Sequence, residues 1–279
     1  MNDLLEFGYL TNSILAAIFA AISCGLTGTY IVSRRMVFVS GGLTHASFGG
    51  IGMGHFIGIN PIIGAAIFSV VAALGIEKFS SRRLLRQDSI IAMLWSLGMA
   101  LGIIFIYITP GYAPNMMSYL FGSILTVSAL DIWFLGGLSL LSVLVFSTMY
   151  KAILYVSFDE DFARTRNLPV QALKYLMISM VALAIVFNIR VVGIILVLSL
   201  LTVPQCIVSL FTNIYRKILI FSVLTGLVGT FAGLAAAWLL DIPSGATIVF
   251  VLVVMFLLAS GVKWLYNIHG KCSANRDQG

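Results

Sequence analysis

Apolar residues run in blocks of about 20 along most of this chain, separated by short polar stretches. A block of that length crosses about 30 Å of hydrocarbon as an α-helix rising 1.5 Å per residue. These blocks are too long and too uniformly apolar for barrel strands, so helices are the remaining way to span lipid. The pattern predicts spans near 10–32, 37–58, 61–77, 90–109, 129–150, 174–189, 191–211 and 218–240, with a further apolar run at 244–265. The expected fold is all-α: a polytopic transmembrane bundle of eight to nine helices, one domain over 1–279, with a polar tail at 267–279. No internal repeat or low-complexity tract interrupts it.

The polar stretches set an orientation. Arg34-Arg35 follow the first run, and Lys78, Arg82, Arg83 and Arg86 follow the third. Lys151, Arg164, Arg166 and Lys174 share one long loop, Arg216-Lys217 form another, and Lys263, Lys271 and Arg276 come last. With nine crossings all of these fall on one side and Arg190 alone falls on the other. Lys and Arg hold loops in the cytoplasm, so the N-terminus is expected outside and the C-terminus inside. Met116 to Ser128 must then be half-inserted or interfacial, because a full crossing there would invert the next loop. The first ten residues carry Asp3 and Glu6 but no basic residue, which argues against a cleaved signal peptide.

Composition agrees: 60% of residues are hydrophobic and 9% charged, against about 25% charged in soluble domains. Mean hydropathy is +1.08. The net charge of +6 is accounted for by the cytoplasmic loops and does not call for a nucleic-acid partner. Cys24, Cys206 and Cys272 are scattered and form neither a disulfide framework nor a metal-type pair. No GxxxxGK[ST] phosphate loop, HExxH or paired intramembrane carboxylates occur, so neither ATP hydrolysis nor other enzyme chemistry is expected on this chain.

His45 is the most informative single position. It lies ten residues after Arg35, about 15 Å along a helix and near the bilayer middle. An ionisable group at that depth faces either a partner helix or a cavity, and imidazole binds zinc, manganese or iron. His55 sits on another face near the outer end, and His269 in the tail carries no signal. Other polar groups in the spans are Thr44, Ser47, Asn188, Ser199, Gln205 and Cys206. Gln205 and Cys206 adjoin Pro204, which should kink its span and free a carbonyl near Leu200. Thr44, Ser47, Gln205 and Cys206 are thus candidates for a path, with plain packing as the alternative. Met116 and Met117 offer soft thioethers at the outer face or simple packing. Gly42, Ala46, Gly50 and Gly54 recur every fourth residue, and Gly226, Gly229 and Gly233 do so less regularly. Both sets allow close helix approach.

The loop at 151–174 is the long polar interruption. From Asp159 to Arg166 acids precede arginines, as a short helix prefers for its dipole. Phe158, Phe162 and Ala163 supply an apolar face. Asn167 tolerates the left-handed conformation that ends a helix, and Pro169 blocks its renewal. The helix could lie on lipid, but Asp159, Glu160 and Asp161 would be repelled by anionic headgroups, which favours a protein socket.

In order along the chain, Leu43-Thr44-His45-Ala46, Tyr119-Leu120-Phe121-Gly122-Ser123, Phe158 to Val170, Val192-Gly193 through Pro204 and Pro243-Ser244-Gly245 resemble the zinc/manganese/iron permeases of bacterial ABC transporters. The resemblance implies the permease subunit of an ATP-binding-cassette importer in the bacterial cytoplasmic membrane. It implies a homodimer, a cytoplasmic ABC ATPase that binds ATP, an extracytoplasmic metal-binding protein, and a divalent metal as cargo, with no cofactor resident on this chain. Phe158, Asp159, Glu160, Asp161, Phe162, Ala163, Arg164 and Asn167 would then belong to the helix that couples to the ATPase. His45 would contact the metal. The family commonly has Asp one turn before that His, where this chain has Gly41. Alternatives are an ABC permease for another cargo, such as a metal chelate, or a non-ABC secondary carrier.

Overall fold

The computed structural model describes residues 2–81, 86–110, 122 and 127–276, with side chains over 11–80, 86–110, 122 and 127–267. Helices follow one another as α1 (Asn2–Ser33), α2 (Val37–Ile57), α3 (Pro61–Ser81), α4 (Gln87–Ile108), α5 (Ala129–Thr148) and α6 (Tyr150–Phe158). They continue as α7 (Glu160–Thr165), α8 (Val170–Val192), α9 (Ile194–Leu200), α10 (Val203–Phe211), α11 (Tyr215–Leu240) and α12 (Ser244–Arg276). No strand occurs among the described residues. Among the described residues eight segments are long and apolar enough to cross a membrane, α9 and α10 counting as one. The 21 residues of α2 give about 31 Å of helix, long enough for a ninth, although its glycines, serines and histidines lower its hydropathy.

Helix α1 is central and packs on α5, α8 and α11; α2, α3 and α4 form a tight group that rests on α8; α12 lies against α10 and α11. Small residues make the α2 group possible. A Cβ on Gly98 would stand 2.6 Å from the Ala46 backbone, and one on Gly50 would stand 2.5 Å from the Gly64 carbonyl. The four-residue stripe on α2 is therefore shared: Gly42 and Ala46 meet α4, while Gly50 and Gly54 meet α3. Gly229 and Gly233 meet Leu252 and Ile248 of α12. Exposed aromatics mark both ends of the bundle. Tyr107, Trp133 and Trp238 stand near the ends of α4, α5 and α11, and Trp264 and Tyr266 near the far end of the membrane-length part of α12, Ser244–Asn267. Such girdles occupy membrane–water interfaces.

The expected span at 191–211 is two helices. Gly193 takes φ +80°, the chain breaks at Leu201-Thr202, and Pro204 sits in the first turn of α10. Helix α8 begins at Val170, four residues before the expected span, because Pro169 occupies its N-cap. The polar tail expected at 267–279 is helical as far as Arg276, prolonging α12. Of Met116 to Ser128, only Gly122, Val127 and Ser128 fall within the described residues.

Candidate functional site

His45 sits on the face of α2 that is incompletely covered, half exposed, with its ring stacked on Trp95 of α4. The ring centroids are 4.2 Å apart and the planes differ by 4°. That contact fixes the plane of the imidazole while leaving it half exposed. One turn earlier, a Cβ on Gly41 would meet nothing within 4 Å. There is thus room for a side chain at position 41, one turn from His45. Among the described residues no three His, Cys, Asp or Glu side chains cluster to hold a metal.

The other path candidates divide. Thr44 and Ser47 are fully buried and donate to carbonyls of their own helix, those of Ser40 and Thr44. Ser47 also borders a cavity of about 10 Å³, room for one water, with Ile51, Ile62 and Val186. Gln205 is fully buried, and its amide nitrogen donates to the carbonyls of Cys24, Gly25 and Leu200 at 3.1–3.3 Å. It therefore fills the gap opened at the α9–α10 break and ties it to α1. Cys206 is half buried and Asn188 is buried, the latter donating to Ser23 and to the Ala184 carbonyl. Met116 and Met117 lie outside the described residues, as does the His269 side chain.

At the opposite end of α1 the 151–174 loop folds into α6 and α7. Asp159 caps α7, its carboxylate accepting from the amides of Asp161 and Phe162 at 3.0 and 2.9 Å. Asn167 takes φ +55°, the left-handed stop expected of it. The acidic run does not face one way. Asp161 and Arg164 are exposed, whereas Glu160 turns inward and Ala163 is fully buried. Phe158 and Phe162 are exposed but braced at their edges, by Tyr215 and Tyr155 respectively.

Glu160 belongs to a four-member ion network. It lies 2.7 Å from Arg34 at the end of α1 and 3.2 Å from Lys174 in α8, and Lys174 reaches Glu77 of α3 at 2.7 Å. Arg34 also donates to the Val156 carbonyl of α6 at 2.7 Å. Partial burial would raise the Glu160 pKa. The Arg34 hydrogen bond and the charges of Lys174 and Arg34 outweigh it, holding the carboxyl below its ordinary value.

Residues 6–263 match the ABC 3 transport family. The chain belongs to that family. It is 38% identical over 259 residues to an uncharacterized membrane protein of Synechocystis, covering 93% of this chain and 92% of the relative. It is 33% identical to the manganese transport system membrane protein MntC of Halalkalibacterium halodurans, covering 92% and 88% of the two chains. A structure of PsaBC from Streptococcus pneumoniae in complex with Fab superposes with TM-score 0.82 at 28% identity, covering 92% of this chain and 93% of that one.

Membership in this transport family sets aside the secondary-carrier alternative. The chain is a multi-pass membrane permease, and its site residues now have surroundings. Three neighbours of the candidate residues escaped sequence reasoning. Trp95 carried no signal, since one tryptophan in an apolar run reads as packing. Glu77 and Lys174 fall at predicted span ends, where single charges read as solvated. Arg190, expected as a lone outer cation, pairs with Asp131 of α5 at 3.2 Å.

Proposed function

We propose that this chain is the translocation subunit of an importer for a divalent transition metal, manganese first and zinc or iron as related cargoes. The observation that carries the reading is His45: an imidazole eight residues into α2, half-buried and held flat by Trp95 on an incompletely covered face. Burying an ionisable side chain at mid-span is costly, and a face that stays open gives it a use. Imidazole ligates manganese, zinc and iron without needing a redox change. With Gly41 beside it the site lacks a carboxylate, so binding is weak and release is fast.

ATP hydrolysis falls to a separate cytoplasmic ATPase, for which exposed Phe158, Phe162, Asp161 and Arg164 offer the contact. Two copies of the chain enclose the path, and an extracytoplasmic binding protein delivers the metal. The N-terminus is outside and the C-terminus cytoplasmic, in keeping with the basic residues gathered at the α1–α7 end. The test is uptake into proteoliposomes carrying the chain with its ATPase and binding protein, run with manganese, zinc, iron and a metal chelate. ATP-dependent accumulation of a free ion, manganese foremost, is expected. Accumulation of the chelate alone would replace this cargo.

A further inference from the structure

Helices α5 and α11 both rest on α1 but make little contact with each other. Between them lies a cleft of about 450 Å³ with apolar walls, Val143 and Phe146 on one side and Leu219 and Ile220 on the other, floored by Leu26 of α1. At the α7 end it carries Arg216 and shares Ser147 and Tyr150 with a second cavity of about 560 Å³. That cavity adds Lys151, Tyr155 and Arg166. Neither cavity has an acidic lining residue. Among the described residues no ion pair involves Lys151, Arg166 or Arg216. Arg166 has only the ring of Phe162, 5.3 Å away.

The combination is an apolar slot between two spans, ending in three exposed cations at the level where the spans stop. A free phosphate would satisfy the cations and leave the slot empty, and a neutral acyl chain would do the reverse. We propose that the cleft holds one anionic phospholipid, an acyl chain between α5 and α11 and the headgroup phosphate at Arg216, Lys151 and Arg166. Basic pockets between spans recognise anionic headgroups through this charge complementarity. The bound lipid would cover the flank of α6, whose other end carries the exposed Phe158. The inference depends on neither the cargo nor the direction of transport.

The experiment uses the full-length chain in mild detergent, stripped of lipid and titrated with phosphatidylglycerol, phosphatidylcholine or glycerol 1-phosphate under native mass spectrometry. One phosphatidylglycerol per chain is expected to bind at least about tenfold more tightly than phosphatidylcholine, from cations that each contribute a several-fold preference. Lys151→Ala and Arg216→Ala should each lower that preference roughly fivefold. Both side chains are exposed, so neither change disturbs packing. Val143→Trp with Ile220→Trp, both on half-exposed wall positions, should reduce retention of either lipid at unchanged charge. Equal retention of the two lipids, or a preference untouched by the charge variants, would overturn the proposal. So would glycerol 1-phosphate competing as well as the lipid, or a second copy of the chain cross-linking through Ile220→Cys in place of lipid.

Discussion

Glu77 is the residue whose surroundings most change its meaning. It is 5% exposed and pairs with Lys174, which is itself almost covered. Breaking one side of a buried pair strands the other charge, so Lys174→Leu, which leaves Glu77 buried without its cation, should destabilise the protein by about 3 kcal/mol, read from thermal unfolding in detergent. Replacing Glu77 and Lys174 together by leucine should cost less than the single change, because no lone charge is left buried. Glu160 responds to pH instead. Its folded pKa lies below the ordinary value of about 4.3, so its contribution is complete above that pH and fades as pH falls through the folded value. The melting-temperature advantage of wild type over Glu160→Gln should therefore hold at neutral pH and shrink on acidification below about 4.3. An advantage that grew in acid would contradict the network.

Individual residues differed in how far their role could be read from sequence. His45 drew notice because an imidazole in an apolar block of about 20 residues is costly there, though sequence could not show the Trp95 ring stacked on it. Gln205 did not. An amide beside a proline kink suits a pathway as well as a backbone patch, and only the carbonyls of Cys24, Gly25 and Leu200 around it decide for the patch. Glu160 was grouped with two exposed acids because sequence shows adjacency, whereas its direction depends on where Arg34 ends α1.

At the scale of elements, local rules worked where backbone geometry is demanding. Asn167 ends α7 as the left-handed stop expected of it, whereas Asp159, expected as the first acid of the helix, is its cap. Asn167→Val should cost about 1–2 kcal/mol, since a β-branched residue resists positive φ, whereas Asn167→Gly should cost nothing. Hydrogen exchange across α6 and α7 would register the difference as faster opening in the Val variant only. Pro204 correctly marked a discontinuity. The break itself lies between Leu200 and Val203, and Gly193, at φ +80°, makes a second one between α8 and α9 that the sequence did not signal. Helix ends were least legible: α1 and α12 both outrun their apolar blocks, because a helix once formed continues through polar residues unless something stops it.

Across the whole molecule, hydropathy carried the architecture and left the assembly open. Spacing on α2 foretold close packing, but not that its stripe would divide between α3 and α4. Gly98 and Gly102, which complete the α4 contact, gave no pattern of their own. Charge placement foretold that the ends of α1 and α3 and the 151–174 loop would share a side. Their convergence on Arg34, Glu160, Lys174 and Glu77 joins α7 to α3, which packs against the helix bearing His45. Ion pairs of 2.7–3.2 Å thus connect α7 with the end of α1, with α8 and, through Lys174, with α3.

The most direct test of this account is manganese uptake by proteoliposomes containing the chain, its ATPase and its binding protein, comparing wild type with His45→Ala while ATP hydrolysis is recorded. The account predicts that His45→Ala loses metal accumulation while the assembly still forms and hydrolyses ATP. Equal accumulation by both proteins would remove His45 from the path and make its stacking on Trp95 a packing contact alone.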